Sequence, residues 1–235
     1  MSPDGADNPG NNKEKVLSQH SSHRWGNAHV FISKDKDGIE YVIKDFSVCS
    51  PIVRYTSSWF LLWREFRALK RLQHIQGTPG PNLTRTRWSL QYPYIPAKTL
   101  KKIAVENTKL NSQFFERLEK LVQNMHKHNV VHLDMRNKRN ILITPDNQPV
   151  IIDFQTAIFT NLIPPPLRRL LFAVDLSGVY KYWQRFAPEG MNEERQKIAK
   201  RMQSLRPLWM IEGYPLRNFF SKFSGKKKQP PQRPA

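Results

Sequence analysis

The chain has 235 residues, a single cysteine, and 38 Lys and Arg against 19 Asp and Glu, which gives a formal charge of +19. This length can bury a core, so we expect one two-lobed domain or two small domains and exclude a wholly disordered chain. One cysteine excludes an intramolecular disulfide and is typical of a reducing compartment. The charge favours polyanionic partners such as nucleotides, acidic lipids, phosphorylated glycolipids or nucleic acid, unless it is only a solvated surface.

The two ends of the chain differ in composition from its middle. Residues 1–23 are rich in Asn, Gly, Ser and charge, which predicts a disordered arm and no signal peptide. No apolar run is long enough to span a bilayer, so we expect a cytoplasmic protein. Residues 206–235 alternate basic and aromatic side chains. They predict a tail that either contacts an anionic membrane surface or is solvated beyond a last packed helix.

Residues 24–96 predict a small β-rich lobe with one helix. Residues 25–33 and 38–46 alternate apolar and polar side chains around a turn, which predicts a β-hairpin with Lys44 in its second strand. Residues 58–72 predict a helix, in which Glu65 lies beside the apolar stripe. We expect Glu65 to pair with Lys44, 21 positions earlier (65 − 44). The alternative is that both charges are solvated.

Further elements follow a Gly- and Pro-rich breaker at residues 77–81. We expect strands at residues 85–90 and 91–95, and helices at 111–129, at 168–186 (as one helix or two), and at 193–205. His126 and His128, near the end of the helix at 111–129, are interpreted as exposed residues that complement the helix dipole rather than as metal ligands.

Residues 131–157 have the order loop, strand, turn, strand and acidic loop. Asp134 lies in the first loop, Asn140 precedes the apolar run Ile141–Ile143, and Asp153 follows a second apolar run. Oxygen-bearing side chains in this order could hold a divalent cation against phosphates and direct a hydroxyl in line. Each Asp alone could be an ordinary loop residue, but their joint order favours phosphoryl transfer.

These motifs resemble parts of the protein-kinase site. His132, Leu133, Asp134 and Asn140 resemble the H-R-D-x-x-x-x-N loop, and Asp153 with Phe154 resembles D-F-G. Lys44 similarly resembles the lysine of V-A-I-K.

With these motifs, the chain is similar to the small bacterial kinase-like proteins grouped with lipopolysaccharide core kinases, including Kdo kinase, and with RIO-type kinases. The resemblance covers residues 25–188. It implies an α+β, two-lobed protein-kinase-like fold with a β-rich N-lobe at residues 24–96 and a compact, mostly helical C-lobe at 97–205. It also implies a phosphotransferase that uses ATP and Mg²⁺.

The resemblance implies a role for each catalytic candidate. Lys44 would position the phosphates, Glu65 would orient Lys44, and Asp134 would orient the acceptor hydroxyl. Arg136, two residues after Asp134, would stabilise charge in the transition state. The implied magnesium ligands are Asn140 and Asp153.

Nucleotide contacts are implied at two places. Gly26 would belong to a reduced glycine-rich loop that precedes Lys44. Tyr92 would border the adenine pocket, while Pro93 through its carbonyl and Ile95 through both backbone groups would contact the base. The alternative for Tyr92, Pro93 and Ile95 is a plain connecting strand.

Four departures from the kinase pattern stand out. The glycine loop has only Gly26, Leu133 stands where many kinases have Arg, and Gln155 replaces the Gly of D-F-G. Asp134 and Asn140 are six positions apart where five is the common spacing. The missing Arg predicts no switching by phosphorylation of an activation loop.

Three features suggest the acceptor: the basic surface, the short segment after Asp153 and the basic aromatic tail. They favour a sugar hydroxyl of an anionic glycolipid such as the lipopolysaccharide core. The protein would then contact the cytoplasmic face of the inner membrane. Alternatives are a protein serine/threonine kinase and a catalytically weak pseudokinase or basic adaptor. No nucleic-acid motif accompanies the charge, which argues against a nucleic-acid partner.

Asp175 has two possible roles. It could hold the predicted catalytic loop, which contains Asp134, by accepting backbone N–H groups, or it could act as an N-cap.

Overall fold

A computed structural model describes residues 18–19 and 28–204. The chain divides into two compact units. The first contains the described residues up to His74 together with Pro79–Pro96, and the second contains Ile75–Thr78 and the described residues from Ala97 onward. A small antiparallel sheet dominates the first unit and helices dominate the second, so the predicted α+β class is confirmed.

The first unit contains a five-stranded antiparallel sheet in the order β1-β2-β3-β5-β4. Its strands are β1 (Ser18–Gln19), β2 (His29–Lys34), β3 (Glu40–Asp45), β4 (Thr84–Arg85) and β5 (Ser89–Pro93). The Asp35 carboxylate accepts the N–H groups of Asp37 at 3.0 Å and Ile39 at 2.8 Å, and Gly38 has a φ of +78°. A left-handed glycine and a side-chain-closed turn are typical of tight hairpins, so the predicted β2–β3 hairpin is confirmed.

Two parts of this sheet differ from the sequence prediction. Ser18 pairs with Ile32 and Gln19 with Phe31, so two residues of the predicted disordered arm add a strand to the open edge of β2. The turn between β4 and β5 falls earlier than predicted, because the Thr86 hydroxyl accepts the N–H groups of Trp88 and Ser89. Such side-chain turns compete with strand pairing.

The helix of the first unit begins earlier than residue 58. It comprises α1 (Pro51–Val53), a π-helical turn at Arg54–Ser58, and α2 (Trp59–Leu72). Proline at the first position of α1 is well suited to start a helix. The buried face of α2 contains Leu62, Ala68, Leu69 and Leu72, together with Glu65. Trp59, at the start of the predicted apolar stripe, is instead 53% exposed.

The second unit combines short strands with four helices. The strands are β6 (Lys98–Thr99), β7 (Val130–Val131), β8 (Ile141–Ile143), β9 (Pro149–Ile151) and β10 (Ile158–Phe159). The helices are α3 (Leu100–Val105), α4 (Ser112–Lys127), α5 (Pro165–Phe186) and α6 (Glu193–Ser204). Strands β6, β8 and β9 form one antiparallel sheet, and β7 pairs with β10.

Helices α4 and α5 form the core of the second unit. The Asn111 side chain accepts the N–H of Phe114 and caps α4, as expected for Asn before an apolar helix. Phe115 stacks on Trp183 of α5 with ring centroids 5.9 Å apart. The predicted helices at 111–129 and 193–205 are confirmed with slightly shorter bounds, and residues 168–186 belong to one helix.

Ile75–Thr78 lies in sequence among residues of the first unit but belongs to the second. The Gly77 carbonyl accepts the N–H of Ile151 at 2.8 Å. A Cβ at Gly77 would lie 2.7 Å from both a Leu121 methyl carbon and the Pro149 carbonyl oxygen, and its φ is +94°. Only glycine fits there without strain. These close contacts and the hydrogen bond to Ile151 anchor the breaker segment to the second unit.

No helix among residues 28–204 is long and apolar enough to cross a membrane. The predicted tail at residues 206–235 lies outside the described part of the chain.

Candidate active site

Lys44 and Glu65 form a buried ion pair in the first unit. Lys44 Nζ lies 2.6 Å from Glu65 Oε1, and the two side chains are 8% and 0% exposed. The pair forms because Lys44 occupies β3, between Val30 of β2 and Leu90 of β5, while Glu65 lies on the buried face of α2. The structure thus contains the pair that the sequence predicts. Its action on a nucleotide remains a prediction.

The loop between β7 and β8 is held by Asp175 of α5. Its two carboxylate oxygens accept the backbone N–H groups of His132 and Leu133, each at 2.7 Å. Leu133 has a φ of +63°, a left-handed conformation that is rare for a large side chain and clusters at functional sites. Asp175 is fully buried in the middle of α5. The predicted contact of Asp175 with this loop is confirmed, and the N-cap alternative is wrong.

His126 is buried beside Asp175, contrary to the sequence interpretation. Its Nε2 lies 3.1 Å from Asp175 Oδ2, and its ring stacks on Phe172 with centroids 4.2 Å apart. The prediction of an exposed ring is wrong because the last turn of α4 packs against α5. His128 is exposed and contacts the Asn124 carbonyl, as expected for a residue at a helix end.

Asp134 is the centre of a cluster of amide side chains. Asn140 Nδ2 donates to Asp134 Oδ2 at 2.8 Å and to the Asp134 carbonyl at 3.2 Å. Asn137 Nδ2 donates to the same Oδ2 at 3.1 Å. The longer spacing between Asp134 and Asn140 therefore does not separate them. Sequence analysis missed Asn137. The feature that could have identified it is an amide side chain three residues after Asp134.

Asp153 follows β9 in a left-handed conformation, with φ of +69° and ψ of 64°. The N–H of the preceding Ile152 donates to the Asn140 carbonyl at 3.0 Å, which brings the two predicted magnesium ligands to neighbouring backbone positions. A His132 ring nitrogen lies 3.0 Å from the Ile152 carbonyl. Thr156 donates its hydroxyl to the His132 carbonyl at 2.7 Å, a contact that sequence analysis missed. The β7–β8 loop and the loop that follows β9 are therefore directly hydrogen-bonded.

Arg136 contacts α5. Its Nη1 donates to the Ser177 hydroxyl at 3.2 Å, and its carbonyl accepts the Tyr182 hydroxyl. Burial raises the pKa of Tyr182 to about 12; the charge of Arg136 opposes this rise and that of Asp134 adds to it. Arg136 thus connects the loop that contains Asp134 to α5, and its role on a transferring phosphoryl group remains a prediction.

Three of the residues that are predicted to contact the nucleotide lie at or just after the end of β5. Tyr92 is 4% exposed and pairs with Val42, and Pro93 pairs with Tyr41 of β3. Ile95 is half-buried and follows the end of β5. Gly26 lies outside the described residues. Contacts of these residues with adenine or phosphate stay predictions.

Asn140 and Asp153 have the atoms that magnesium prefers. Mg²⁺ binds oxygen ligands and usually retains waters and substrate phosphates, so two protein ligands suffice. Asn140 directs its Nδ2 to Asp134, and its Oδ1 is then the amide atom that could bind a cation. Residues 28–204 contain no group of three or more His, Cys, Asp or Glu side chains that could hold a metal ion. The oxygen atoms of Asn140 and Asp153 fit a magnesium ion whose remaining ligands are nucleotide phosphates and water.

Comparisons with known proteins agree with this geometry. The family model of the RIO domain matches residues 20–196. Two crystal structures of Rio2 kinase from Chaetomium thermophilum, one of them the ADP/Mg²⁺-phosphoaspartate complex, are each 18% identical to this chain with a TM-score of 0.54. Each similarity covers 79% of this chain but only 63% and 61% of those two chains, respectively. No curated protein matches the chain. The chain belongs to the RIO-domain family and has a RIO kinase-like fold.

Proposed function

We propose that this protein is an ATP- and Mg²⁺-dependent phosphotransferase. The observation that carries the proposal is the convergence of Asn137 and Asn140 on the Asp134 carboxylate, on a loop that Asp175 holds through two backbone N–H groups. Catalysis of phosphoryl transfer depends mainly on positioning and on electrostatic stabilisation. A carboxylate held at one oxygen by two amides keeps its other oxygen oriented for an acceptor hydroxyl.

Asp134 is the proposed residue that orients the acceptor. Its Oδ2 accepts from Asn137 and Asn140, so Oδ1 is the atom that would accept the hydroxyl hydrogen. The acceptor oxygen forms a bond to the γ-phosphorus while the bond from that phosphorus to the β,γ-bridging oxygen breaks and ADP leaves. The hydroxyl proton passes to Asp134.

Other residues have supporting roles in this proposal. Lys44, held by Glu65, binds the α- and β-phosphates, and Arg136 stabilises charge on the transferring group. Asn140 and Asp153 would hold magnesium, which neutralises phosphate charge when it is bound. The related Rio2 structure is described as a complex with ADP and Mg²⁺, which supports both cofactors.

The proposed acceptor is a sugar hydroxyl of an anionic glycolipid, such as a lipopolysaccharide core, at the cytoplasmic face of the inner membrane. The formal charge of +19 and the basic aromatic sequence at 206–235 support an anionic, membrane-associated substrate. A protein serine or threonine is the second candidate, because the RIO-domain match and the Rio2 likeness support a protein-kinase type of enzyme.

The testing experiment follows the γ-phosphate of labelled Mg-ATP into a bacterial lysate that is then separated into glycolipid and protein fractions. Label in the glycolipid that depends on Asp134 and Asp153 supports the sugar-kinase proposal, whereas label confined to protein supports the protein-kinase alternative. The enzyme itself is also treated with hydroxylamine, which cleaves acyl phosphates. The Rio2 complex contains a phosphoaspartate, so hydroxylamine-sensitive label on this chain would indicate transfer to an aspartate.

The variants are Asp134→Asn and Asp153→Asn, and the matched control is Asp146→Asn. Asp146 is an exposed aspartate of the β8–β9 turn in the same unit. We expect Asp134→Asn to lower the rate by about 10²–10⁴-fold, the usual size of a lost acid–base contribution, and the control to retain the full rate. If neither fraction nor the enzyme carries variant-sensitive label, the pseudokinase or adaptor alternative replaces this proposal.

A further inference from the structure

An exposed group of apolar side chains lies along α1, the π-helical turn and the first turn of α2. Ile52, Tyr55, Trp59 and Phe60 are 71%, 64%, 53% and 45% exposed. Large apolar side chains exposed singly are ordinary, but several neighbouring ones on one helix typically indicate an interaction surface. We call these four residues and Trp63 the helix aromatic surface.

Basic residues accompany these aromatic residues. The guanidinium of Arg64 lies 4.9 Å from the Phe60 ring centroid, and that of Arg67 lies 5.1 Å from Trp63. Residues 51–72 contain five Arg or Lys and a single acid, Glu65, which is buried against Lys44. The surface is therefore both apolar and positively charged.

The β4–β5 connection extends the same surface. Trp88 packs edge-on against Tyr55 with ring centroids 5.2 Å apart, and the Arg87 guanidinium lies 4.7 Å from the Trp88 ring centroid. Tryptophan, tyrosine and arginine are the side chains that combine an apolar body with a polar or charged end. Such side chains are concentrated at the boundary between lipid headgroups and acyl chains.

The charge of the surface restricts its partner. A second copy of this chain carries the same charge of +19, and the chain's own residues 206–235 contain basic residues and only one acid, Glu212. Both would bring like charge to Arg64 and Arg67. An anionic partner is complementary.

Ring packing argues against single-stranded nucleic acid as that partner. Trp59 and Phe60 each stack with Trp63, with ring centroids 6.4 and 6.1 Å apart, and guanidinium groups cover Phe60 and Trp63. Base stacking needs open ring faces, whereas insertion into a bilayer interface needs exposed apolar edges. Ile52, an exposed aliphatic side chain, has no use in base stacking but contributes to acyl-chain contact.

We propose that the helix aromatic surface docks the first unit onto an anionic lipid bilayer. Trp59 and Phe60 insert at the headgroup level, and Arg64 and Arg67 bind lipid phosphates. This docking does not depend on phosphotransfer activity or on the tail at 206–235. It would bring the enzyme to a surface where anionic lipids and glycolipids are concentrated.

The test measures binding of the full chain to sedimented vesicles of phosphatidylcholine alone and of phosphatidylcholine mixed with phosphatidylglycerol. We expect clear binding only to the anionic vesicles, and weaker binding when salt is raised from about 0.1 M to about 1 M, because the Debye length shrinks from about 10 Å to about 3 Å. The double variant Trp59→Ser/Phe60→Ser should bind at least about tenfold more weakly, since it removes two apolar side chains that insert.

The matched control is Val105→Ser/Leu162→Ser, which removes two exposed apolar side chains of the second unit, 74% and 97% exposed. It should bind as the unaltered chain does. A second pair, Arg64→Gln/Arg67→Gln, retains the aromatic residues and should weaken binding to anionic vesicles by up to about fivefold for each arginine. Thermal unfolding and far-UV circular dichroism establish that each variant is folded.

Two results would overturn the proposal. One is vesicle binding that neither surface variant changes but that substitution of Lys226, Lys227 and Lys228 by Gln abolishes, because the tail would then account for it. The other is binding of a labelled single-stranded RNA oligonucleotide that the Trp59 and Phe60 substitutions abolish while vesicle binding is absent. Loss of phosphotransfer with vesicle binding retained would contradict only the proposed function.

Discussion

The Lys44–Glu65 pair of the first unit and the β7–β8 loop of the second unit, which contains Asp134, are built in different ways. The pair is one ion pair between a strand and a helix, with Nζ and Oε1 2.6 Å apart. In the loop, Asp134 is held by Asn137 and Asn140, and the loop backbone is held by Asp175 from a helix more than 40 residues away in sequence.

This difference separates two ways of positioning a charged group. A buried ion pair contributes little net stability, because desolvation offsets the attraction, but it is costly to break on one side. In a hydrogen-bonded network, the free-energy cost of burying a polar group is shared among several partners, and the members of the network are coupled. We therefore expect substitutions in the pair to be rescued by a second substitution, and substitutions in the loop to affect stability and activity together.

The largest effect on stability is expected from breaking the pair on one side. Lys44→Met leaves the buried Glu65 carboxylate facing an apolar side chain, which should lower the free energy of unfolding by about 3–5 kcal/mol. The double variant Lys44→Met/Glu65→Leu should recover most of this loss. Urea denaturation of the unaltered chain, the two single variants Lys44→Met and Glu65→Leu, and the double variant measures this double-mutant cycle. Additive losses in the double variant would give a coupling energy of zero and would contradict the expected dependence of the two side chains on each other.

A smaller loss is expected from Asp175→Asn. The amide retains one acceptor oxygen but places an NH₂ group where a backbone N–H of His132 or Leu133 now donates, so one charge-assisted hydrogen bond is lost. We expect about 1.5–3 kcal/mol of destabilisation, with a lower phosphotransfer rate under conditions where the variant is folded. An unchanged rate in the folded variant would show that the loop conformation does not depend on Asp175.

Tyr182→Phe should have a modest effect at neutral pH and a distinctive effect at alkaline pH. It removes the hydrogen bond to the Arg136 carbonyl, worth about 1 kcal/mol. Burial raises the pKa of Tyr182 from 10.0 to about 12, so the folded state binds the phenolic proton more tightly than the unfolded state does. Its contribution to stability is complete below pH 10 and is lost as the pH rises to about 12.

The measurement is urea denaturation at several pH values between about 9 and about 12, the range in which tyrosine and lysine side chains titrate. The unfolding free energy of Tyr182→Phe should fall less steeply with pH than that of the unaltered chain. Equal slopes would mean that Tyr182 does not titrate differently in the two states.

The smallest effect is expected from Asn137→Ala. Asn140 still donates to Asp134 Oδ2 in this variant, so the carboxylate loses one of two amide partners. We expect a decrease of about fivefold in the phosphotransfer rate, which corresponds to about 1 kcal/mol. Asn140→Ala, measured beside it, should have a larger effect because it also removes a proposed magnesium ligand. An equal effect of the two variants would argue against that role.

Much of the local structure followed from patterns of neighbouring residues. Alternation around the Asp35–Gly38 turn predicted the β2–β3 hairpin, and the apolar face of residues 111–129 predicted α4. The order of Asp134, Asn140 and Asp153 predicted the loops in which they lie. These features depend on contacts within a few residues, so periodicity and turn chemistry specify them.

The aromatic residues of α2 illustrate where such patterns fail. Trp59 lies on the same helical stripe as Leu62 and Leu69, yet Trp59 is exposed while both leucines are fully buried. Periodicity identifies an apolar face but does not state how far along the helix a partner covers it. The π-helical turn at Arg54–Ser58 had no signal in the sequence pattern either.

For the candidate site, the sequence contained the identities and order of the candidate residues, because motif spacing is a local property. It indicated Glu65 as the partner of Lys44 and offered Asp175 only beside an N-cap alternative, and it identified neither the Thr156 contact nor the burial of His126. Asp175 contacts His132 across 43 positions, Thr156 contacts His132 across 24, and His126 is buried because α4 packs on α5. Such contacts arise when distant elements pack, so local patterns alone do not decide them. Folding therefore supplies the orientation of residues whose chemistry the sequence already indicates.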